Sequence, residues 1–257
     1  MTVAYDGQPF SGYARQPEAR TIAGELDGAV RAIDPKASLV RGASRTDAGV
    51  HAHGQRVAFD TKMNIPSRGW VLALARELPR EIAIVRATRV DAGYEPRKRA
   101  LRKTYRYSLY ESVLRDPFLA GRAWRVPHRL NHSLMHEAAQ VLLGQHDFAA
   151  FRAAGDPRED TVRNILRIEV RTDRRDPRLT DVTVEGDRFM YRMVRIIVGA
   201  LVDIGRGRLS QSALTLALES GRRGDLGVTA PADGLYLESI VLDDEGADVW
   251  PPAIDGG

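Results

Sequence analysis

The chain contains no cysteine, which removes disulfides, thiolate metal sites and cysteine nucleophiles together and leaves oxygen, imidazole and guanidinium chemistry. It has no run approaching the roughly eighteen consecutive apolar residues that a membrane span needs. Its opening, Met-Thr-Val-Ala-Tyr-Asp-Gly, carries no signal-peptide pattern, so a soluble cytoplasmic protein without a membrane partner is the expectation. Lysine is scarce, supplying four of the 38 basic residues. Arginine in its place suits bidentate phosphate contact and stacking on bases, although GC-rich coding gives the same bias. Internal repeats and low-complexity segments are also lacking.

What is present is a chain of 257 residues, 43% hydrophobic, long enough for a sizeable core and for two domains of ordinary size. Its formal charge of +4 is unevenly spread: between Arg86 and Arg125 eleven Lys/Arg face four Asp/Glu, whereas the last seventeen residues hold five acids and no base. That asymmetry points to a polyanion partner for the middle of the chain.

The stretch Arg41 to Gln55, with glycines at 42, 49 and 54, reads as a shaped loop, neither strand nor helix, whose glycines supply positive φ. Within it Arg45 and Asp47 flank Thr46. A carboxylate presented by a loop beside a guanidinium can be kept ionised and aimed, as nucleophilic or general-base work requires. Asp-Ala-Gly is equally good turn chemistry, and its polar groups could serve only local amides.

Around this loop the pattern is strand at Met1 to Tyr5, helix from a Thr21 cap through Ile22, Leu26, Val30 and Ile33 to Asp34-Pro35, strand at Gln55 to Asp60, helix from Pro66-Ser67 to Pro79, and strand at Ile82 to Val90. This is the rhythm of one α+β unit. The basic segment Tyr94 to Lys103 lacks apolar periodicity and is the candidate connection, so residues 1–100 and 101–257 are the expected subdomains. In the second, Thr104 to Tyr110 alternates as a strand with Tyr105, Tyr107 and Leu109 on one face, the pattern of core or cross-strand packing. Leu134 to Leu143 reads as a helix closed by Gly144, Gln145 to Phe148 as loop, and strands follow near Ile165 to Val170 and Leu179 to Val184. A strongly apolar helix is expected from about Phe189 to Ile204, with Arg188, Arg192 and Arg195 forming a stripe at its start. Beside that apolar surface the arginines need salt-bridge partners or a water-filled cleft. A helix near Ser212 to Glu219, a strand at Leu235 to Leu242 and an acidic tail, mobile from about residue 243 and poorly ordered beyond Pro252, complete the reading.

His132 and His136 have metal-ligand spacing, but position 140 is Gln and no third ligand is evident, so surface or capping roles fit better. His51 and His53 could act as acid and base, with loop packing as the plainer reading. Gly205-Arg-Gly-Arg has the spacing of neither nucleotide-binding glycine motif. No cofactor or metal is expected.

Arg45-Thr46-Asp47-Ala48-Gly49-Val50-His51 resembles the signature of the TruA-type tRNA pseudouridine synthases. Tyr5-Asp6-Gly7, Leu78-Pro79, Tyr105-Arg106-Tyr107, Gly144 with Asp147-Phe148 and Phe151-Arg152, Met193-Val194-Arg195 with Ile197-Val198-Gly199, and Gly234-Leu235-Tyr236-Leu237 extend the resemblance over nearly the whole chain, in order and spacing. The resemblance implies that Asp47 starts the isomerisation, that Tyr105 packs against the target base, that Arg195 pairs with the aspartate and that Arg45 contacts RNA. It further implies two ferredoxin-like (RRM-like) α+β subdomains with joined antiparallel sheets and a basic catalytic cleft between them, a homodimer, and a tRNA substrate modified just 3′ of the anticodon, without cofactor. Arg97 and Arg102, in the basic stretch, are the candidate phosphate contacts.

The chain departs from the family pattern at Gly12-Tyr13-Ala14 in place of Gly-Trp-Gln, at Ser44 in place of glycine, at Ala75 in place of asparagine, and at Tyr94-Glu95-Pro96-Arg97. Two other readings therefore stand beside a tRNA enzyme: the same chemistry on a free uridine nucleotide or another RNA, and an RNA-binding protein with a vestigial site. The complete set of Asp47, Tyr105 and Arg195 speaks against the last.

Overall fold

The computed structural model describes residues 1–156, 158–244 and 246–251, and the chain divides into two units, Met1–Leu101 with the chain from Leu237 on, and Arg102–Tyr236. Both combine largely antiparallel strands with helices, an α+β organisation.

In the first unit β1 (Thr2–Tyr5) is central, antiparallel to both β3 (His51–Ala58) and β4 (Ile82–Arg89). The two-residue strand β2 (Arg41–Gly42) pairs with β3. Helix α1 (Ile22–Ile33) begins where the Thr21 hydroxyl accepts the Gly24 N–H, buries Ile22, Leu26 and Val30, and stops before Pro35. Helix α2 (Ser67–Glu77) packs on α1 and β4. The Arg41 to Gln55 stretch is thus less of a loop than expected, because both its ends are strand and only residues 43–50 remain irregular. Of its three glycines only Gly49 takes positive φ, 79°.

The end of the chain differs most from expectation. Strand β10 (Leu235–Leu242) leaves the second unit and lies beside β3 in the first. In place of a mobile tail from residue 243, β11 (Ala247–Trp250) pairs antiparallel with β4, Ala247 opposite Arg89 and Trp250 opposite Ala87. Its acids have work to do. Asp248 accepts the Ser67 N–H at 2.9 Å, capping α2 where Pro66 offers no side-chain cap, and a carboxylate there complements the helix dipole. The ordering expected beyond Pro252 concerns positions outside the described residues.

The second unit is built on β5 (Ala100–Glu111), which pairs antiparallel with β9 (Leu179–Gly186) from Lys103 opposite Gly186 to Tyr110 opposite Leu179. Strand β8 (Val162–Thr172) follows β9, and β7 (Gly144–Asp147), expected as loop, follows β8. A short β6 (Trp124–Val126) runs parallel beside β5. Helix α3 (His132–Ala139) packs on β8 and on α4 (Met193–Gly205), and α5 (Ala213–Ser220) closes the unit. Helix α4 is buried along its length apart from Arg195 and its last residue, and each large side chain such as Ile196 or Leu201 contributes about 1.5–3 kcal/mol through burial.

Along α4, Arg195, Gly199 and Asp203 form one stripe on which the segment 227–231 lies. Ala230 N–H donates to the Arg195 carbonyl at 3.0 Å and Arg195 Nε donates to the Ala230 carbonyl at 2.8 Å. At Gly199 an added Cβ would stand 1.8 Å from the Val228 carbonyl oxygen. Gly199→Ala should therefore lower stability by about 1–3 kcal/mol, the usual cost of overpacking, read as an earlier midpoint in urea unfolding. An unchanged midpoint would show that the segment yields freely.

Candidate active site

Asp47 stands on a turn closed by the Val50 N–H donating to its carbonyl at 3.1 Å. The turn is fixed from behind by a buried polar cluster. Gln55, fully buried on β3, donates through Nε2 to the Ser44 carbonyl at 2.8 Å and accepts the Ser44 N–H at Oε1, 3.2 Å. The same Nε2 lies 3.4 Å from the Tyr5 hydroxyl, which is 2.8 Å from the Thr46 hydroxyl. From the other side Tyr13 N–H donates to the Thr46 carbonyl. Gly12, at φ 92°, approaches so closely that a Cβ would sit 2.9 Å from that same oxygen, so no other residue fits there.

Within the signature the side chains alternate in exposure: Arg45 outward, Thr46 inward, Asp47 half-buried. Arg45 does not pair with Asp47 as the sequence suggested. It is exposed and makes no ion pair among the described residues, while Asp47 is half-buried. His51 is buried and accepts the Gly7 N–H at Nδ1, 3.1 Å, with the Asp6 carboxylate 3.2 Å from the same nitrogen. His53 is exposed and 3.0 Å from Glu238.

Tyr105 and Arg195 lie in the second unit. Tyr105, 7% exposed on β5, meets the Phe189 ring edge to face, centroids 5.1 Å apart at 81°. Two residues on, Tyr107 is fully buried and donates to the Pro231 carbonyl at 2.9 Å. Burial, and secondarily the charge of Asp233, push its phenol far above the usual range, with the Arg195 charge opposing. Arg195 is therefore within electrostatic reach of the tyrosine strand, its guanidinium oriented by Ala230.

The three-arginine stripe does not form. Helix α4 starts at Met193, after Arg192 in the left-handed region at φ 58°. Phe189 and Tyr191 are instead bonded to the preceding loop, Arg158 donating to the Phe189 carbonyl and Asp156 accepting the Tyr191 N–H. Arg188 faces Asp160 and Asp187, and Arg192 stacks over Tyr191.

Among the expected RNA contacts, Arg97 is exposed and makes no ion pair among the described residues, while Arg102 is exposed beside Glu185 at 3.3 Å. His132 lies against Glu111 and Thr180, and His136 accepts the Val170 N–H, so both histidines serve the fold. Tyr13 is buried, its ring against Gly42 and its hydroxyl without a hydrogen-bond partner among the described residues. The Tyr13 departure is thus a packing exchange of one aromatic for another. Sequence reading missed Gln55 and Tyr5 as supports of the site; two polar residues spaced like core positions on adjoining strands were the available signal.

Residues 138–243 match the family model described as tRNA pseudouridine synthase. The chain is 42% identical over 246 residues to tRNA pseudouridine synthase A of Geobacillus kaustophilus, covering 95% of this chain and 93% of that one. It is 40% identical over 244 residues to the protein of that name from Bacillus subtilis, covering 94% and 98%. With the Acetivibrio thermocellus protein, also tRNA pseudouridine synthase A, identity is 37% over 240 residues, covering 93% and 97%.

Removing the staple tests its importance. Gln55→Leu strands the Ser44 amide and carbonyl in the interior, at about 1–3 kcal/mol for each unsatisfied group. Tyr5→Phe leaves the staple in place and should cost only about 0.5–1.5 kcal/mol. Equilibrium denaturation should rank the two in that order, and a Gln55→Leu protein as stable as wild type would show that the loop does not depend on the amide.

Proposed function

The chain belongs to the tRNA pseudouridine synthase family and isomerises uridine to pseudouridine in tRNA, and we propose that Asp47 carries the reaction, with Tyr105 packing against the base and Arg195 partnering the carboxylate. The reaction breaks the N1–C1′ bond and joins C1′ to C5; the proton lost from C5 is balanced by one gained at N1, so no oxidant or reductant is consumed. It needs an ionised carboxylate at the sugar, whether the carboxylate attacks C1′ or removes a ribose proton, and a site that keeps the freed base from leaving.

The observation that carries this reading is the buried staple behind Asp47, which holds a half-buried carboxylate on a turn whose backbone is bonded from two sides. Such preorganisation is what a catalytic group requires. Tyr105 offers a base a ring already fixed by Phe189, and stacking of this kind is worth about 1–3 kcal/mol per base. Arg195, held through Nε, keeps a planar fork suited to a carboxylate. Arg45, Arg97 and Arg102, all exposed, are the phosphate contacts.

The finer reading is an enzyme of two ferredoxin-like units, with the catalytic cleft expected of the family, acting in the cytoplasm on uridines just 3′ of the anticodon. We also propose a homodimer, for which the exposed apolar residues Val113, Leu114 and Phe118, the last 86% exposed, offer surface to cover. Of the departures that motivate a mononucleotide substrate, Tyr13 is buried, Ala14 half-buried and Ala75 exposed, so that reading stands as the alternative.

Asp47→Asn should fold and bind tRNA but form no pseudouridine in single turnover, measured by mass spectrometric mapping; appreciable activity would sink the assignment. Binding of tRNA should weaken steeply with salt, with a slope of about −0.7 to −0.9 per phosphate contact. Arg97→Ala or Arg102→Ala should weaken the complex and reduce the slope by about one contact. Efficient turnover of uridine monophosphate with little salt dependence would establish the smaller substrate instead.

A further inference from the structure

The segment Phe189 to Arg192 is helix-competent in sequence yet is held out of α4. The Asp156 carboxylate and Arg158 bond it to the preceding loop. The Asp156 side chain is fully buried. Its Oδ1 accepts the Arg158 Nε–H at 2.8 Å and backbone N–H at 3.1 Å, and its Oδ2 accepts Arg158 Nη2 at 2.6 Å and the Tyr191 N–H at 2.8 Å. Arg158 in turn donates through Nη1 to the Phe189 carbonyl at 2.9 Å, and the Arg158 carbonyl accepts from Arg152 at 2.5 Å. The Arg158 guanidinium holds the Asp156 carboxyl well below the usual carboxylate range, as expected of a fully bonded ion pair. The product of this latch is the position of the Phe189 ring, edge-on to Tyr105. Local propensity overruled by a buried carboxylate and its half-exposed arginine at this point marks a placement that serves something other than stability.

We propose that Asp156 and Arg158 are positioning residues for the isomerisation, acting through the Phe189 ring to set the tilt of Tyr105; this rests on the reading of Tyr105 as the surface against the target base. Neither residue need touch the uridine. A platform that tilts would still bind tRNA through its many phosphate contacts, but would present C1′ and C5 to the carboxylate less often, so the loss belongs in kcat and not in KM.

The test is pseudouridine formation on tRNA, with kcat and KM separated, for Asp156→Ala, Asp156→Asn, Tyr105→Ala and the Asp156→Ala/Tyr105→Ala double variant. Asp156→Ala should lose about tenfold in kcat, the scale of one hydrogen bond to a charged group, with KM nearly unchanged. Asp156→Asn keeps an oxygen for the Tyr191 N–H and should recover most of that loss. In the Tyr105→Ala background Asp156→Ala should cost nothing more, because its route of action is gone. Should Asp156→Ala fail to fold, Arg158→Met carries the same comparison. Losses that multiply in full would make the latch merely structural and overturn the proposal. A normal kcat in Asp156→Ala beside an impaired Tyr105→Ala would overturn it while leaving the platform reading intact, whereas normal isomerisation by Tyr105→Ala would remove both.

Discussion

The two hydrogen bonds between the Gln55 amide and the backbone of Ser44 are the constraint on which the first unit's site depends. A side-chain amide here does what a neighbouring strand would do, offering one donor and one acceptor to a backbone that has left the sheet. Because the group is buried, water cannot substitute for it, and a satisfied polar network in a low-dielectric interior is stiff. Tyr5 on β1 and Gln55 on β3 are near neighbours across paired strands. The position of Asp47 is thus set by the sheet, and the turn that bears it inherits that rigidity.

The second unit solves the same problem with a helix. Arg195 is the one charged side chain in the first turns of an otherwise buried α4, where an unheld guanidinium would be costly. The segment that passes over it bonds both its carbonyl and its Nε through the single residue Ala230, and Gly199 one turn on lets that segment come close. The consequence is a fork whose direction is decided by backbone. Tyr105 is treated likewise, held edge to face by the Phe189 ring, whose backbone carbonyl is bonded by Arg158. In each case burial supplies the rigidity and hydrogen bonds the aim, the combination that makes electrostatic catalysis inexpensive at the moment of reaction.

Periodicity made α1, β10 and the tyrosine alternation of β5 legible, because there local preference and tertiary burial agree. It failed where a partner distant in sequence decided the outcome. The acidic end of the chain reads as solvated, yet Asp248 caps α2 and brings β11 onto β4. Gly144 to Asp147 carries no apolar alternation, since β7 is a largely exposed edge strand, and so looked like loop. The first turn predicted for α4 is unmade by Asp156 and Arg158, residues that propensity cannot weigh. At the site, the identity of Asp47, Tyr105 and Arg195 came from motif resemblance; the supports Tyr5 and Gln55 did not, because nothing local distinguishes a stapling glutamine from any other on a strand.

Arginine content is a poor guide to the positive charge this chain leaves open to a polyanion. Arg15 is committed to Asp27 and the Val40 carbonyl, Arg41 to Asp60, Tyr94 and Glu95, and Arg158 to Asp156. Arg163 is buried with two main-chain carbonyls as acceptors. Arg15, Arg41 and Arg158 act as multidentate cross-links between segments, a use for which lysine lacks the donors and the fixed plane. Once they are set aside, the positive charge that faces water is a smaller set, including Arg45 in the signature turn and Arg97 and Arg102 on either side of the start of β5. A uniform reading of the arginine content would overestimate the phosphate contacts, and the salt dependence of binding should be modest in relation to composition though steep in relation to a mononucleotide. The scarcity of lysine thus reflects the scaffold as much as the substrate.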